Sequence, residues 1–158
     1  MKLEKSALVA EIVGSIAIVA TLVILIFEVR ENTRAIQVAN RQSIATRAQE
    51  MALTLARQPD IRRALVELSG GNAAIYSETL GAASAFLDAD LKIAEEAYLL
   101  FLEGQLSEEY WQTRAAIALN LLNAPELREA YKRARDSGFY QPEFTIWLDR
   151  ALVEKYGQ

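Results

Sequence analysis

Carboxylates are the main candidates for chemistry in this chain, because its 158 residues include no histidine and no cysteine. Their absence excludes Ser-His-Asp and Cys-His nucleophiles, His-ligated zinc and thiolate metal sites. A group of acidic residues falls within one predicted helix: Asp88, Asp90, Glu95, Glu96 and Glu103. Several of them are three or four positions from Lys92, which is the spacing of ordinary surface ion pairs. We therefore expect no catalytic residue, no metal and no cofactor.

Glu95 is the carboxylate with the most inward position in that helix. It shares a helical face with Leu91, Tyr98 and Leu102, which predicts partial burial. A single buried carboxylate usually accepts a hydrogen bond from a tyrosine or pairs with an arginine. We expect such a structural role for Glu95. The chain also lacks the glycine-rich phosphate-binding motifs, and we interpret Gly70-Gly71 as a helix stop.

The segment from Ala7 to Phe27 is apolar on every side and carries one charged residue, Glu11. Its length of about 21 residues gives roughly 31 Å of helix, which matches the hydrocarbon core of a bilayer. A buried helix of a soluble protein is an alternative, but a domain this small could hardly surround it. A cleaved signal peptide is another, but no small-x-small site follows at a usable distance. We predict a transmembrane anchor over residues 1–27.

Small residues follow one another along the anchor at steps of three and four, and so form one narrow stripe. The stripe consists of Ala7, Ala10, Gly14, Ala17 and Thr21. Small side chains let two helix backbones approach closely in lipid. The stripe therefore predicts packing against another transmembrane helix, in a homo-oligomer or a larger membrane complex. Glu11 is predicted either to extend toward the interface or to face that partner.

The basic residues that flank the anchor favour a cytoplasmic location for the C-terminal side. Lys2 and Lys5 precede the apolar segment, and the residues that follow it are Arg30, Arg34, Arg41 and Arg47. The spacing of Arg30, Arg34 and Arg41 places them on one helical face, where we expect them to contact anionic lipid headgroups. The net charge of −4 and the absence of a basic block argue against a nucleic-acid partner.

The rest of the chain predicts an all-α fold. Residues 28–57 contain no glycine or proline and predict a helical stalk continuous with the anchor. Residues 58–158 predict a soluble helical bundle, giving about five to six helices. Helix caps and helix-breaking residues predict where each of these helices begins and ends. The predicted limits are Pro59 and Gly70, Ser77 and Gly104, Ser107 and Leu122, and Pro125 and Gly138, and the last helix runs from Pro142 onward.

Two stretches of the sequence resemble a group of uncharacterised bacterial single-pass inner-membrane proteins. The first is VATLVILIFEVRENTRAIQVAN, in which the residues that match the group are Val29, Arg30, Asn32, Thr33 and Ala35. Glu28 stands where that group usually has glutamine. The second is EEAYLLFLEGQLSEEYW, an aromatic-rich helix followed by Glu-Gly-x-Leu. The resemblance implies a bacterial inner-membrane location and a small helical domain, and it brings no activity.

These features together favour a membrane-anchored, non-enzymatic interaction protein, such as an accessory or assembly subunit of a larger membrane complex. The alternative is a membrane-tethered sensor of a small molecule or lipid, with a pocket in the helical bundle. The two hypotheses differ in where the functional surface lies. The first places it on the anchor, and the second places it in the folded domain.

Overall fold

The computed structural model of the protein describes the backbone of residues 2–69 and 77–157, and the side chains of residues 13–68 and 80–157. Within these ranges it contains six α-helices and no strand, which confirms the all-α class. The helices are α1 (Lys2–Arg57), α2 (Pro59–Ser69), α3 (Ser77–Leu102), α4 (Glu108–Leu121), α5 (Pro125–Asp136) and α6 (Pro142–Tyr156). The predicted stop at Gly70-Gly71 lies outside the described residues.

The described helix limits follow local backbone chemistry, as predicted. Pro59, Pro125 and Pro142 each open a helix, since the φ angle of proline suits the first turn and its missing N–H is not needed there. Ser107 caps α4 by accepting a hydrogen bond from the backbone N–H of Tyr110. The chain leaves α5 through Gly138, whose φ of 74° is a conformation that glycine adopts without strain.

The chain divides into two compact units, an N-terminal unit (Met1–Val38) and a C-terminal unit (Ala39–Gln158). The boundary between the units falls within residues 28–57, the stretch predicted as a stalk. Residues 39–57, the second part of the predicted stalk, belong to the C-terminal unit. The reason is packing: the side chain of Ile44 is only 1% exposed, within the hydrophobic core of that unit.

The N-terminal unit is a helix with large apolar side chains exposed all around it. From Val13 to Val29 these side chains keep between 46% and 64% of their surface exposed. An 18-residue window of this helix has a mean hydropathy of 2.2, and none of it is buried. By length and composition this helix could cross a membrane.

The core of the C-terminal unit is built around α3, which contacts α2, α4, α5 and α6. Aromatic rings from α3, α4 and α6 fill its centre, where Phe144 is fully buried and lies 6.1 Å from Tyr98 between ring centroids. Trp111 and Trp147 meet edge to face at 4.6 Å, the arrangement that their ring quadrupoles favour. These rings fix the position of α3 and hence of the side chains that it carries.

Candidate functional sites

The predicted packing stripe of the anchor is partly described. Gly14, Ala17 and Thr21 are exposed on the helix of the N-terminal unit. A Cβ added at Gly14 would meet no described atom within 4 Å, so this position can accept a close neighbour. The Thr21 hydroxyl donates a hydrogen bond to the carbonyl of Ala17 at 2.9 Å, so the hydroxyl has a partner within its own helix. The side chains of the other predicted residues, Ala7, Ala10 and Glu11, lie outside the described residues.

The three arginines predicted to meet lipid headgroups have different surroundings. Arg30 and Arg34 are exposed in the N-terminal unit. Arg41 belongs to the C-terminal unit, where its guanidinium donates to the hydroxyl of Ser107 and lies 5.9 Å from the ring centroid of Tyr110. Arg41 therefore helps to hold the start of α4, which sequence spacing could not indicate. Contact of Arg30 and Arg34 with headgroups remains a prediction.

The C-terminal unit contains an apolar groove of about 590 Å³ between α1, α2 and α3, within the size range of small-molecule sites. The side chains that line it are Arg47, Glu50, Met51, Thr54, Ile61, Ala82, Ala85, Phe86, Ala89 and Ile93. Within this unit α1 and α3 run antiparallel, because Asn40 donates to Gln105 at 3.3 Å and Arg47 pairs with Glu96. The groove lies beyond these two contacts, along the chain from Arg47 toward Thr54.

Small side chains on α3 create the space in the groove. Ala82, Ala85 and Ala89 follow one another at steps of three and four, so they line the same side of the helix. Phe86 and Ile93 flank this alanine row, and both are partly or fully withdrawn from solvent. Among the described residues that line the groove, the polar side chains are Arg47, Glu50 and Thr54, all on α1, and the others are apolar.

The carboxylates of α3 have structural partners in the described part of the chain. Asp88 accepts a hydrogen bond from the Tyr140 hydroxyl at 2.8 Å. Glu96 pairs with Arg47 at the surface. These contacts join α3 to the turn before α6 and to α1. No group of three or more acidic side chains suited to a metal ion occurs among the described residues.

Glu95 is buried, as predicted, but its expected tyrosine or arginine partner is wrong. Its carboxylate lies 2.7 Å from the Lys92 ammonium and accepts a hydrogen bond from the backbone N–H of Gln141. Gln141 is the N-cap residue of α6. Lys92 lies 4.7 Å from the ring centroid of Phe139, so the same pair holds the chain just before that helix. Glu95 therefore fixes the start of α6 from α3.

Replacement of Glu95 by alanine is expected to lower the free energy of unfolding by about 1–3 kcal/mol, because a buried acceptor and an ion pair are lost. The measurement is urea unfolding followed by tryptophan fluorescence, since both tryptophans, Trp111 and Trp147, lie in the C-terminal unit. The matched control is Glu154→Ala, an exposed glutamate of α6, with an expected change of less than about 0.5 kcal/mol. Equal midpoints for the two variants would contradict the role given to Glu95.

An ion pair between Asp90 and Arg114 is buried between α3 and α4, and the sequence did not single it out. Asp90 is 7% exposed and Arg114 is 5% exposed, with Arg114 Nη2 2.6 Å from Asp90 Oδ1. The guanidinium also donates to the backbone carbonyl of Asp90 at 2.6 Å. Burial raises the pKa of the Asp90 carboxyl above its ordinary value, and the charge and hydrogen bond of Arg114 oppose that rise.

Comparisons of the chain with protein-family models, with curated proteins and with solved structures found no match. The described residues therefore define the class of the protein by themselves. It is an all-helical protein with one long apolar N-terminal helix that could span a membrane, and its C-terminal unit carries an apolar groove.

Proposed function

We propose that the protein is a single-pass membrane protein with a non-enzymatic interaction function. The observation that carries the proposal is the exposure of every large apolar side chain from Val13 to Val29. The core helix of a soluble protein would bury such side chains, whereas a bilayer would cover them without any protein partner. Retention of the full 17.6 kDa mass in membranes would exclude a cleaved signal sequence.

The proposed location is the bacterial inner membrane, with the C-terminal unit in the cytoplasm. The resemblance noted in the sequence supports the first part of this proposal. The exposed arginines Arg30 and Arg34, just beyond the apolar stretch, support the second. In this location they would also lie near anionic headgroups.

The proposed interaction is with another transmembrane helix, either in a second copy of the chain or in a larger complex that the protein helps to assemble. Gly14, Ala17 and Thr21 provide the contact surface, since their small side chains permit a short distance between helix axes. The predicted stripe extends to Ala7 and Ala10. The proposal assigns no catalytic residue and no cofactor to the chain.

Replacement of Gly14 by leucine is expected to weaken this association, so that less of the protein stays assembled, because the larger side chain separates the two helices. The measurement is the mass of the full-length protein, and of the proteins that co-purify with it, in mild detergent. Ala20→Leu is the matched control, since Ala20 lies off the small-residue stripe. An unchanged assembly in the Gly14 variant, or a monomer with no partner in the parent protein, would overturn the proposal.

A second candidate function is a membrane-tethered sensor of a small molecule or lipid. The groove between α1, α2 and α3 is the observation that favours it, because its volume and apolar lining are those of a ligand site. The two functions are compatible, since the first uses the N-terminal unit and the second uses the C-terminal unit.

A further inference from the structure

We propose that another cavity of the C-terminal unit binds a small organic acid, a carboxylate attached to a compact apolar body of roughly ten carbon atoms. The cavity lies where the end of α1, α2 and the turn from α4 to α5 meet. It shares no lining residue with the groove between α1, α2 and α3. The inference therefore goes beyond both candidate functions, and its test does not depend on the membrane proposal.

The interior of this cavity, here called the Arg62 cavity, is apolar and has a buried floor. Ala124 and Leu127 form the floor, with exposed fractions of 3% and 2%. The residues that line the cavity are Leu55, Arg62, Leu65, Val66, Leu121, Ala124 and Leu127. An apolar body placed here would leave water and contact aliphatic side chains from α1, α2, α4 and α5, which favours binding.

The volume of the Arg62 cavity limits the size of the ligand. An apolar cavity of about 150 Å³ holds one benzene molecule. The Arg62 cavity has a volume of about 290 Å³, roughly twice as large. A fused pair of aromatic rings, or an aliphatic body of similar bulk, would fill this space. A phospholipid with two long acyl chains is much larger, so the ligand is a small molecule.

One charged side chain lines the cavity, and it selects the charge of the ligand. Among the described residues of the lining only Arg62 is charged. Arg62 is exposed and forms no ion pair with any described residue. A planar guanidinium binds a carboxylate through two parallel hydrogen bonds, whereas it repels a cationic ligand. The lining thus favours an acid over a neutral or basic compound.

The exposure of the lining residues gives the orientation of the bound acid. Arg62 and Val66 are both exposed and lie one turn apart on α2, so they mark the mouth of the cavity. The carboxylate would lie at the mouth, where Arg62 binds it and water still reaches it. The apolar body would point toward Ala124 and Leu127. This order avoids the cost of burying a charge.

The test measures the binding of 2-naphthoate to the full-length protein in mild detergent by isothermal titration calorimetry, with protein-free detergent as the blank. The matched neutral probe is 2-naphthamide, which has the same rings and nearly the same shape. We expect the acid to bind about tenfold more tightly than the amide, because only the acid forms charge-assisted hydrogen bonds with Arg62. Equal affinities for the two probes, or no binding of the acid at about 1 mM, would overturn the inference.

Arg62→Gln is expected to weaken the binding of 2-naphthoate about tenfold and to leave the binding of 2-naphthamide unchanged. The matched control is Arg63→Gln, because Arg63 is the next residue of α2, is also exposed and does not line the cavity. Circular dichroism establishes that both variants are folded. Equal losses of affinity in the two variants would show that the acid binds elsewhere, and would overturn the inference.

Val66→Asp tests the position of the mouth. The new carboxylate lies one turn from Arg62, where it would pair with the guanidinium and repel the acid. We expect the affinity for 2-naphthoate to fall about tenfold. The matched control is Val153→Asp, an exposed valine of α6 that does not line the cavity, which should leave the affinity unchanged. Full affinity in the Val66 variant would count against binding at this mouth and overturn the inference.

Discussion

Replacement of Arg114 by methionine is expected to lower the free energy of unfolding of the C-terminal unit by about 3–5 kcal/mol. Arg114 Nη2 lies 2.6 Å from Asp90 Oδ1. Among the described residues, no other charged group forms an ion pair with Asp90, so the variant leaves this carboxylate without a partner charge. Because Asp90 stays 7% exposed, its carboxylate would be left without compensation in a medium of low dielectric constant. The methionine side chain fills much of the space of the arginine side chain. The loss of stability therefore measures the missing charge and not a new cavity.

The stability loss in the Arg114→Met variant is expected to diminish as the pH falls. Burial already raises the pKa of Asp90 above 3.8, and Arg114 opposes that rise, so the folded-state pKa is higher still in the variant. A folded-state pKa above the unfolded value means that the folded protein binds the proton more tightly. The contribution of Asp90 to stability is then most favourable below about pH 4, and it declines as the pH rises through the folded-state pKa.

Urea unfolding at a series of pH values, followed by tryptophan fluorescence, measures this dependence. The double variant Asp90→Leu with Arg114→Met is expected to recover most of the lost stability, since an apolar pair replaces a buried ion pair at little cost. Arg150→Met, at an exposed position of α6, is the matched control for loss of an arginine. A loss of stability that is the same at pH 4 and at pH 8 would show that Asp90 is not the group responsible.

Replacement of both Ile18 and Leu22 by arginine is expected to remove the protein from the membrane. Each arginine near the centre of a transmembrane helix costs about 2.5–3.5 kcal/mol of insertion free energy. Both positions are more than half exposed, and no described part of the protein would cover the new charges. The measurement is the fraction of full-length protein that stays in membranes after extraction with alkaline carbonate.

The matched control for this variant is Gln42→Arg with Thr46→Arg. These positions have the same spacing and are exposed on α1, but they lie in the C-terminal unit beyond the apolar stretch. Two added arginines there should leave the membrane fraction unchanged. If the Ile18 and Leu22 variant resisted carbonate as well as the control does, α1 would not be the anchor of this protein.

Helix limits in this protein are local properties, and the sequence predicted them well. Three helices begin at a proline: Pro59, Pro125 and Pro142. Proline has no backbone N–H, and the first turn of a helix does not need one. Ser107 caps α4 because its hydroxyl is within reach of a backbone N–H three residues on. The burial of Glu95 followed from helical period alone.

Side-chain partners that join different helices depend on distances that no local pattern contains. The sequence grouped Asp90 with the other acidic residues of its helix and assigned it no partner, whereas packing of α4 against α3 buries it against Arg114, 24 residues away in the sequence. Arg41 shows the same effect. Helical spacing groups it with Arg30 and Arg34, but Ser107 and Tyr110 of a distant segment provide its partners.

The sequence by itself determined the all-α class, the helix limits and the long apolar helix, because these depend on composition and on neighbours within a few residues. The tertiary structure decided that residues 39–57 belong to the C-terminal unit, where Ile44 enters the core. It also decided that Ala82, Ala85 and Ala89 face a groove rather than a packed helix. Alanine is a good helix former in either setting, and only the distance to the neighbouring helices distinguishes the two.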